Sequence, residues 1–184
     1  MTRDLPNNSK WYSSPSIQES LERISKLKFL TLRFRDRDWP DRQLDWSYNP
    51  IRLALLHLLH LPTITHFKLT GVEDFLVSDL IPCVNLKYLH IDYLSVTMAA
   101  ENIFPSTLPE HSIQLNEFVV GIRMSNVTSI MLCTARRPDS QPIVDFGSLS
   151  KIRIAIGGLP HDDEVLQELF KHCCVLTNVS ITCK

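Results

Sequence analysis

Histidines, acids and a pair of cysteines are the residues whose spacing could do chemistry. His57 and His60 stand three apart in HLLH, on one side of a helix. With His66 they could offer nitrogen ligands to a metal. No acid or cysteine nearby completes the set, so they read as the rim of a helix. HDDE, His161 to Glu164, could form an acid–base or cation cluster. Three acids opening a helix are also what the helix dipole favours, and that reading is preferred. IGGLP, Ile156 to Pro160, follows a strand as a phosphate loop would, but it lacks the glycine and lysine spacing and reads as a turn. HCC, His172 to Cys174, sets thiols beside an imidazole, yet sequence neighbours on a helix do not face one another. Cys173 or Cys174 then reads as packing at a helix end. No nucleophile motif such as G-x-S-x-G occurs. The expectation is a protein that is not an enzyme, with no catalytic residue, metal or cofactor; the remote alternative is a small metal-dependent enzyme using His57, His60 or His161.

The bulk properties narrow the class. Nineteen basic and twenty acidic side chains leave a net charge of -1, so no global field favours nucleic acid or an anionic membrane. Five cysteines without a C-x-x-C pair fit neither a disulfide framework nor a zinc module. The most apolar run, Leu53 to Leu61, is half what a bilayer crossing needs and holds two histidines. The polar start has no secretory core. The composition therefore reads as an intracellular soluble protein, cytoplasmic or nuclear.

Any functional side chain must be positioned by a spacing that recurs. Apolar-x-x-apolar-x-apolar occurs at Leu27 to Leu32, Ile64 to Leu69, Leu86 to Ile91, Leu115 to Val120, Leu149 to Ile154 and Leu176 to Ile181. The steps between these six copies are 37, 22, 29, 34 and 27 residues. The spacing describes a plug at a corner followed by a short strand with two inward side chains. One strand cannot bury itself, whereas stacked units form a parallel sheet over a continuous interior. The expected buried set is Leu30, Leu32, Phe67, Leu69, Leu89, Ile91, Phe118, Ile152 and Ile154.

Helix signals lie between the strands. Ser16 with Glu19 suggests a capping box. Asn49 and Pro50 suggest a cap and first turn before RLALLHLL. Asp162 to Cys173 has acids first and an apolar face at Val165, Leu166, Leu169 and Cys173. SNVTSIMLC, Ser125 to Cys133, is a weaker helix, and Met98 to His111 reads as irregular.

On these residues the chain resembles the leucine-rich-repeat family from about Ser16 to Thr182. The implied fold is α/β: a short, irregular solenoid of about six helix–strand units with a parallel sheet on its concave face. The segment Leu58 to Ile91, LLHLPTITHFKLTGVEDFLVSDLIPCVNLKYLHI, is similar to the repeat region of fungal F-box/leucine-rich-repeat proteins. Arg35, Val72, Leu94, Arg123 and Gly157 stand where that family places Asn or Cys, so no regular Asn ladder is expected. In such proteins an F-box binds the adaptor of a cullin ubiquitin ligase while the repeats hold the substrate. No F-box is seen here. The implied organisation is a disordered segment, 1–15, and one domain, 16–184. With no capping unit after Ile181, the C-terminal end reads as truncated or as capped by a partner. The implied function is capture of another protein on the strand face, or substrate recognition within a ubiquitin ligase. Phe29, Arg33, His66, Lys68, Tyr88, His90, Asp92, Lys151 and Arg153 are the expected partner-binding residues. The locally basic stripe suits an acidic or phosphorylated peptide.

Overall fold

Each copy of the recurring spacing becomes one strand, and the six strands pair side by side in chain order. The computed structural model describes residues 15–34, 44–46, 51–97, 108–121, 134–156 and 162–183. The strands are β1 (Phe29–Arg33), β3 (His66–Leu76), β4 (Tyr88–Thr97), β6 (Glu117–Val120), β8 (Lys151–Ile156) and β9 (Asn178–Cys183). All five pairings are parallel. A two-residue strand, β2 (Leu44–Asp45), pairs with the far half of β3. Two more, β5 (Ile113–Gln114) and β7 (Val144–Asp145), pair with each other in a separate sheet. The architecture is mixed α/β with a parallel sheet and few helices.

The register does not drift. Leu30, Phe67, Leu89, Phe118, Ile152 and Val179 form one row across the sheet. Leu32, Leu69, Ile91, Val120, Ile154 and Ile181 form the next inward row. All nine residues of the expected buried set are buried. The corner residues Ile64, Leu86, Leu115 and Leu149 are buried too, and Leu27 and Leu176 pack against the same core.

A hydrogen-bond ladder at the strand entries holds this register. The carbonyls of Lys28, Thr65, Lys87, Asn116 and Ser150 each accept two successive backbone N–H groups of the next strand entry. Thr65, Ser150 and Thr177 add hydroxyl donors to the same carbonyls. Main-chain groups at the second position of the spacing thus link each strand entry to the next.

Among the described residues the connections are less regular than helix–strand alternation predicts. Helices α1 (Pro15–Glu22), α2 (Arg52–Leu59) and α3 (Asp162–Lys171) precede β1, β3 and β9. Single 3-10 turns, Val77–Leu80 and Phe146–Ser148, lead toward β4 and β8. Ser16 lies inside α1, because Pro15 with its preset φ already takes a first-turn position. Ile51 caps α2 without a side-chain bond, so the cap falls two residues after Asn49, which with Pro50 lies outside the described residues. Ser125 to Cys133 and residues 1–14 also lie outside them. Among the described residues no helix is long and apolar enough to cross a membrane.

β3 and β4 run well beyond a short rung. β3 continues through Gly71 (φ 76°) and Asp74 (φ 54°), with a bulge between Val72 and Phe75. A Cβ on Gly71 would stand 2.1 Å from the Phe34 carbonyl oxygen, a backbone atom that cannot step aside. Gly71→Ala should therefore cost about 1–3 kcal/mol or more, from a left-handed φ compounded by the clash. Urea denaturation would read this as a lower midpoint at unchanged slope.

A buried polar cluster ties α2 to the turn after β3. The Asp79 carboxylate accepts from Trp46 Nε1 at 2.7 Å and from Arg52 at 2.9 Å. His60 Nε2 lies 2.8 Å from the Asp79 carbonyl oxygen. Burial pushes the Cys83 thiol well above its ordinary range, and the nearby Asp79 charge adds to this. Cys83 is an inert packing residue.

Candidate interaction surface

The side chains that alternate with the buried rows form the other face of the sheet. The first outward row is Phe29, His66, Tyr88, Glu117, Lys151 and Asn178. The second is Thr31, Lys68, His90, Val119, Arg153 and Ser180. Arg33, Thr70 and Asp92 begin a third. Because the register is shared, neighbours in a row are about 4.8 Å apart, which is stacking distance for rings.

The aromatic residues use that spacing. Phe29 and His66 lie 4.4 Å apart between ring centres and tilted, while His66 and Tyr88 are stacked at 5.5 Å. Tyr88 meets His90 edge-on at 6.5 Å. Four rings from three strands make one continuous patch. Phe29 is 63% exposed at its open end. Thr65 Oγ1 lies 2.9 Å from His66 Nδ1 and steadies that ring within the row.

The electrostatics of the patch follow from its neighbours. Tyr88 has its pKa raised, first by burial and then by Glu117, with Arg153 opposing. His90 has its pKa lowered, first by burial, then by Lys68 and Arg153, with Asp92 opposing. Both shifts favour a protonated phenol donating to an unprotonated His90 Nδ1, and the two atoms are 3.3 Å apart. Arg153 reaches Glu117 at 2.8 Å, yet its side chain is 61% exposed. The outward rows carry Arg33, Lys68, Lys151 and Arg153 against Asp92 and Glu117, four cations to two acids. Asp92 lies across Gly121, where a Cβ would stand 1.8 Å from its Oδ1.

All nine expected partner-binding residues fall on this face, and six of them surround the ring patch: Phe29, His66, Lys68, Tyr88, His90 and Arg153. Arg33 lies at the far end of β1, and Lys151 lies beyond Glu117 in the first row. Sequence reasoning did not foresee the ring stack itself. The one signal for it was an aromatic residue or histidine at the third position of three consecutive copies of the spacing.

The other candidates are dispersed. His57 is exposed on α2 and His60 bonds the Asp79 main chain, whereas His66 stands on the outward sheet face. Among the described residues no group of three His, Cys, Asp or Glu side chains is placed to hold a metal. Asp162, Asp163 and Glu164 open α3, as the dipole reading expects, and His161 lies outside the described residues. Ile156 ends β8, and residues 157–160 lie outside them too. Cys173 is half-buried and donates to the Leu169 carbonyl, while Cys174 is exposed. Burial raises the Cys173 pKa, the opposite of what a nucleophile needs.

Comparison with known proteins finds no matching family model, curated protein or solved structure.

Proposed function

We propose that the chain is a non-enzymatic interaction module, a leucine-rich-repeat-like solenoid that binds another protein through its outward strand face. The observation that carries this reading is the continuous ring patch from Phe29 to His90, bordered by Lys68 and Arg153. Aromatic residues and arginine are the types that anchor protein interfaces. The excess of cations selects an acidic or phosphorylated segment, whose oxygens would meet Lys68 and Arg153 while its apolar side chains lie on the rings. As the substrate arm of an F-box-type ubiquitin ligase subunit, the chain would use the same face.

The test is binding of a labelled, extended phosphopeptide and acidic-peptide library to the wild-type chain and three variants. Arg33→Glu, Tyr88→Ala and Arg153→Glu should each weaken capture by about tenfold or more, the loss expected for one charge-assisted or anchoring contact. The fold should survive, because the Arg153 side chain is 61% exposed, and losing its pair with the largely covered Glu117 while adding a like charge costs about 1–2 kcal/mol. Unchanged capture by all three variants would remove the reading.

A further inference from the structure

The cations of the outward face fall into two groups. Arg33 on β1 and Lys68 on β3 lie on adjacent strands toward one side. Lys151 and Arg153 lie two residues apart on β8, toward the other. Lys68 and Arg153 share the second outward row, with His90 and Val119 between them. Three strand-to-strand steps of about 4.8 Å separate them, about 14 Å in all. The two acids of the face leave both groups open to a ligand. Glu117 meets Arg153 through one guanidinium nitrogen, and the Arg153 side chain, with further N–H donors, is 61% exposed. Asp92 leans across Gly121, beside β6, and so away from Lys68 on β3. Among the described residues Lys68 has no ion pair.

We propose that the partner segment is an extended chain that crosses the strands along the second outward row and carries two anionic side chains four residues apart, with an apolar side chain midway. This rests on the proposed function and adds a direction and a spacing to it. An extended chain advances about 3.4 Å per residue, so residues i and i+4 stand about 14 Å apart on the same side of the segment. That is the separation of Lys68 and Arg153. Each anion then accepts charge-assisted hydrogen bonds, one from Lys68 with Arg33 nearby, the other from Arg153 with Lys151 nearby. Residue i+2 falls between His90 and Val119, where an apolar side chain covers imidazole and aliphatic surface. A segment running along the strands reaches one cationic group alone, because the two groups are separated across the sheet. An odd spacing turns one anion away from the face. A helical segment would need about nine residues to span the same distance, at about 1.5 Å each.

The probes are labelled synthetic peptides in one neutral background, each with a leucine between two glutamates set two, three, four or nine residues apart, and a single-glutamate reference. They are titrated against the full 184-residue chain by fluorescence anisotropy. The separation of four should bind about tenfold more tightly than the reference, the gain from one added charge-assisted contact. Separations of two and three should stay within about twofold of the reference, since each engages one cationic group. Lys68→Gln and Arg153→Gln should each bring the four-spaced peptide down to the reference affinity. Each should weaken the single-glutamate peptide by about twofold at most, because the other group still takes its one acid. Circular dichroism of both variants should match wild type. Equal affinity at separations of two, three and four, or tightest binding at nine, overturns the proposal. If Tyr88→Ala still weakens capture in that case, the interaction surface stands and the crossing geometry alone fails. If Tyr88→Ala, Arg33→Glu and Arg153→Glu all leave capture unchanged, the proposed function fails and this inference with it.

Discussion

Phe118→Ala is expected to lower the free energy of unfolding by about 3–5 kcal/mol, the range for emptying an aromatic site in a close-packed core. Phe118 is 1% exposed and sits mid-row between Leu89 and Ile152. Its ring meets Phe146 edge-on at 5.4 Å, so truncation removes a ring pair as well as buried area. The cavity would open between β4 and β8, which are held in place by the shared register, so local collapse cannot fill it. A domain with about 5–15 kcal/mol of total stability would be brought near the edge of folding. The neighbouring position is the control. Val119 is on the same strand but points to the outward face and is only half-buried, so Val119→Ala should cost about 1 kcal/mol, well below Phe118→Ala. Chemical denaturation of both variants checks the alternation directly. Equal losses would mean that the two faces of β6 are not distinguished as the register requires.

Asp79→Ala should cost a comparable amount, about 3–5 kcal/mol, for an electrostatic reason. The carboxylate is the acceptor for both Trp46 Nε1 and the Arg52 guanidinium. The Trp46 side chain is fully buried, and Arg52 Nε is already buried without a hydrogen-bond partner. Removing Asp79 strands an indole N–H and a cation in a partly buried site. Asp79→Asn keeps an oxygen for the indole but loses the charge, so its cost should fall between wild type and Asp79→Ala. Arg52→Met combined with Asp79→Ala should be less damaging than the sum of the single changes, since no uncompensated charge is then buried. Thermal unfolding of the four-member cycle gives that coupling. Strict additivity would show that the pair does not act as a unit.

These two sites differ in how far the linear chain announces them. Phe118 is legible from spacing alone: it is the second apolar residue in Leu115 to Val120, and the same position is buried in β1, β3, β4 and β8. Trp46 and Asp79 lie 33 residues apart with no pattern joining them. Asp79 looks like an ordinary turn acid until the 3-10 turn Val77–Leu80 brings it under α2. Nor do the two expected caps mark the helix starts: α1 begins at Pro15, whose preset φ suits a first turn, and Ile51 caps α2 without a side-chain bond.

The partition for the face is similar. Strand alternation determined from sequence which side chains point outward, because side chains on a strand change face at every residue whatever surrounds them. It also determined the buried rows and the corner residues, since the spacing is a local consequence of turn and strand geometry. Only the tertiary structure decided that six strands share one register without drift, held by main-chain carbonyls at the strand entries that carry no sequence signal. That register is what stacks Phe29, His66 and Tyr88 and sets Lys68 and Arg153 around His90. It also decided that Val179 and Ile181 are about half-exposed while their register partners Ile152 and Ile154 are buried. Exposure depends on what lies beside a strand, and no periodicity within the strand can report it.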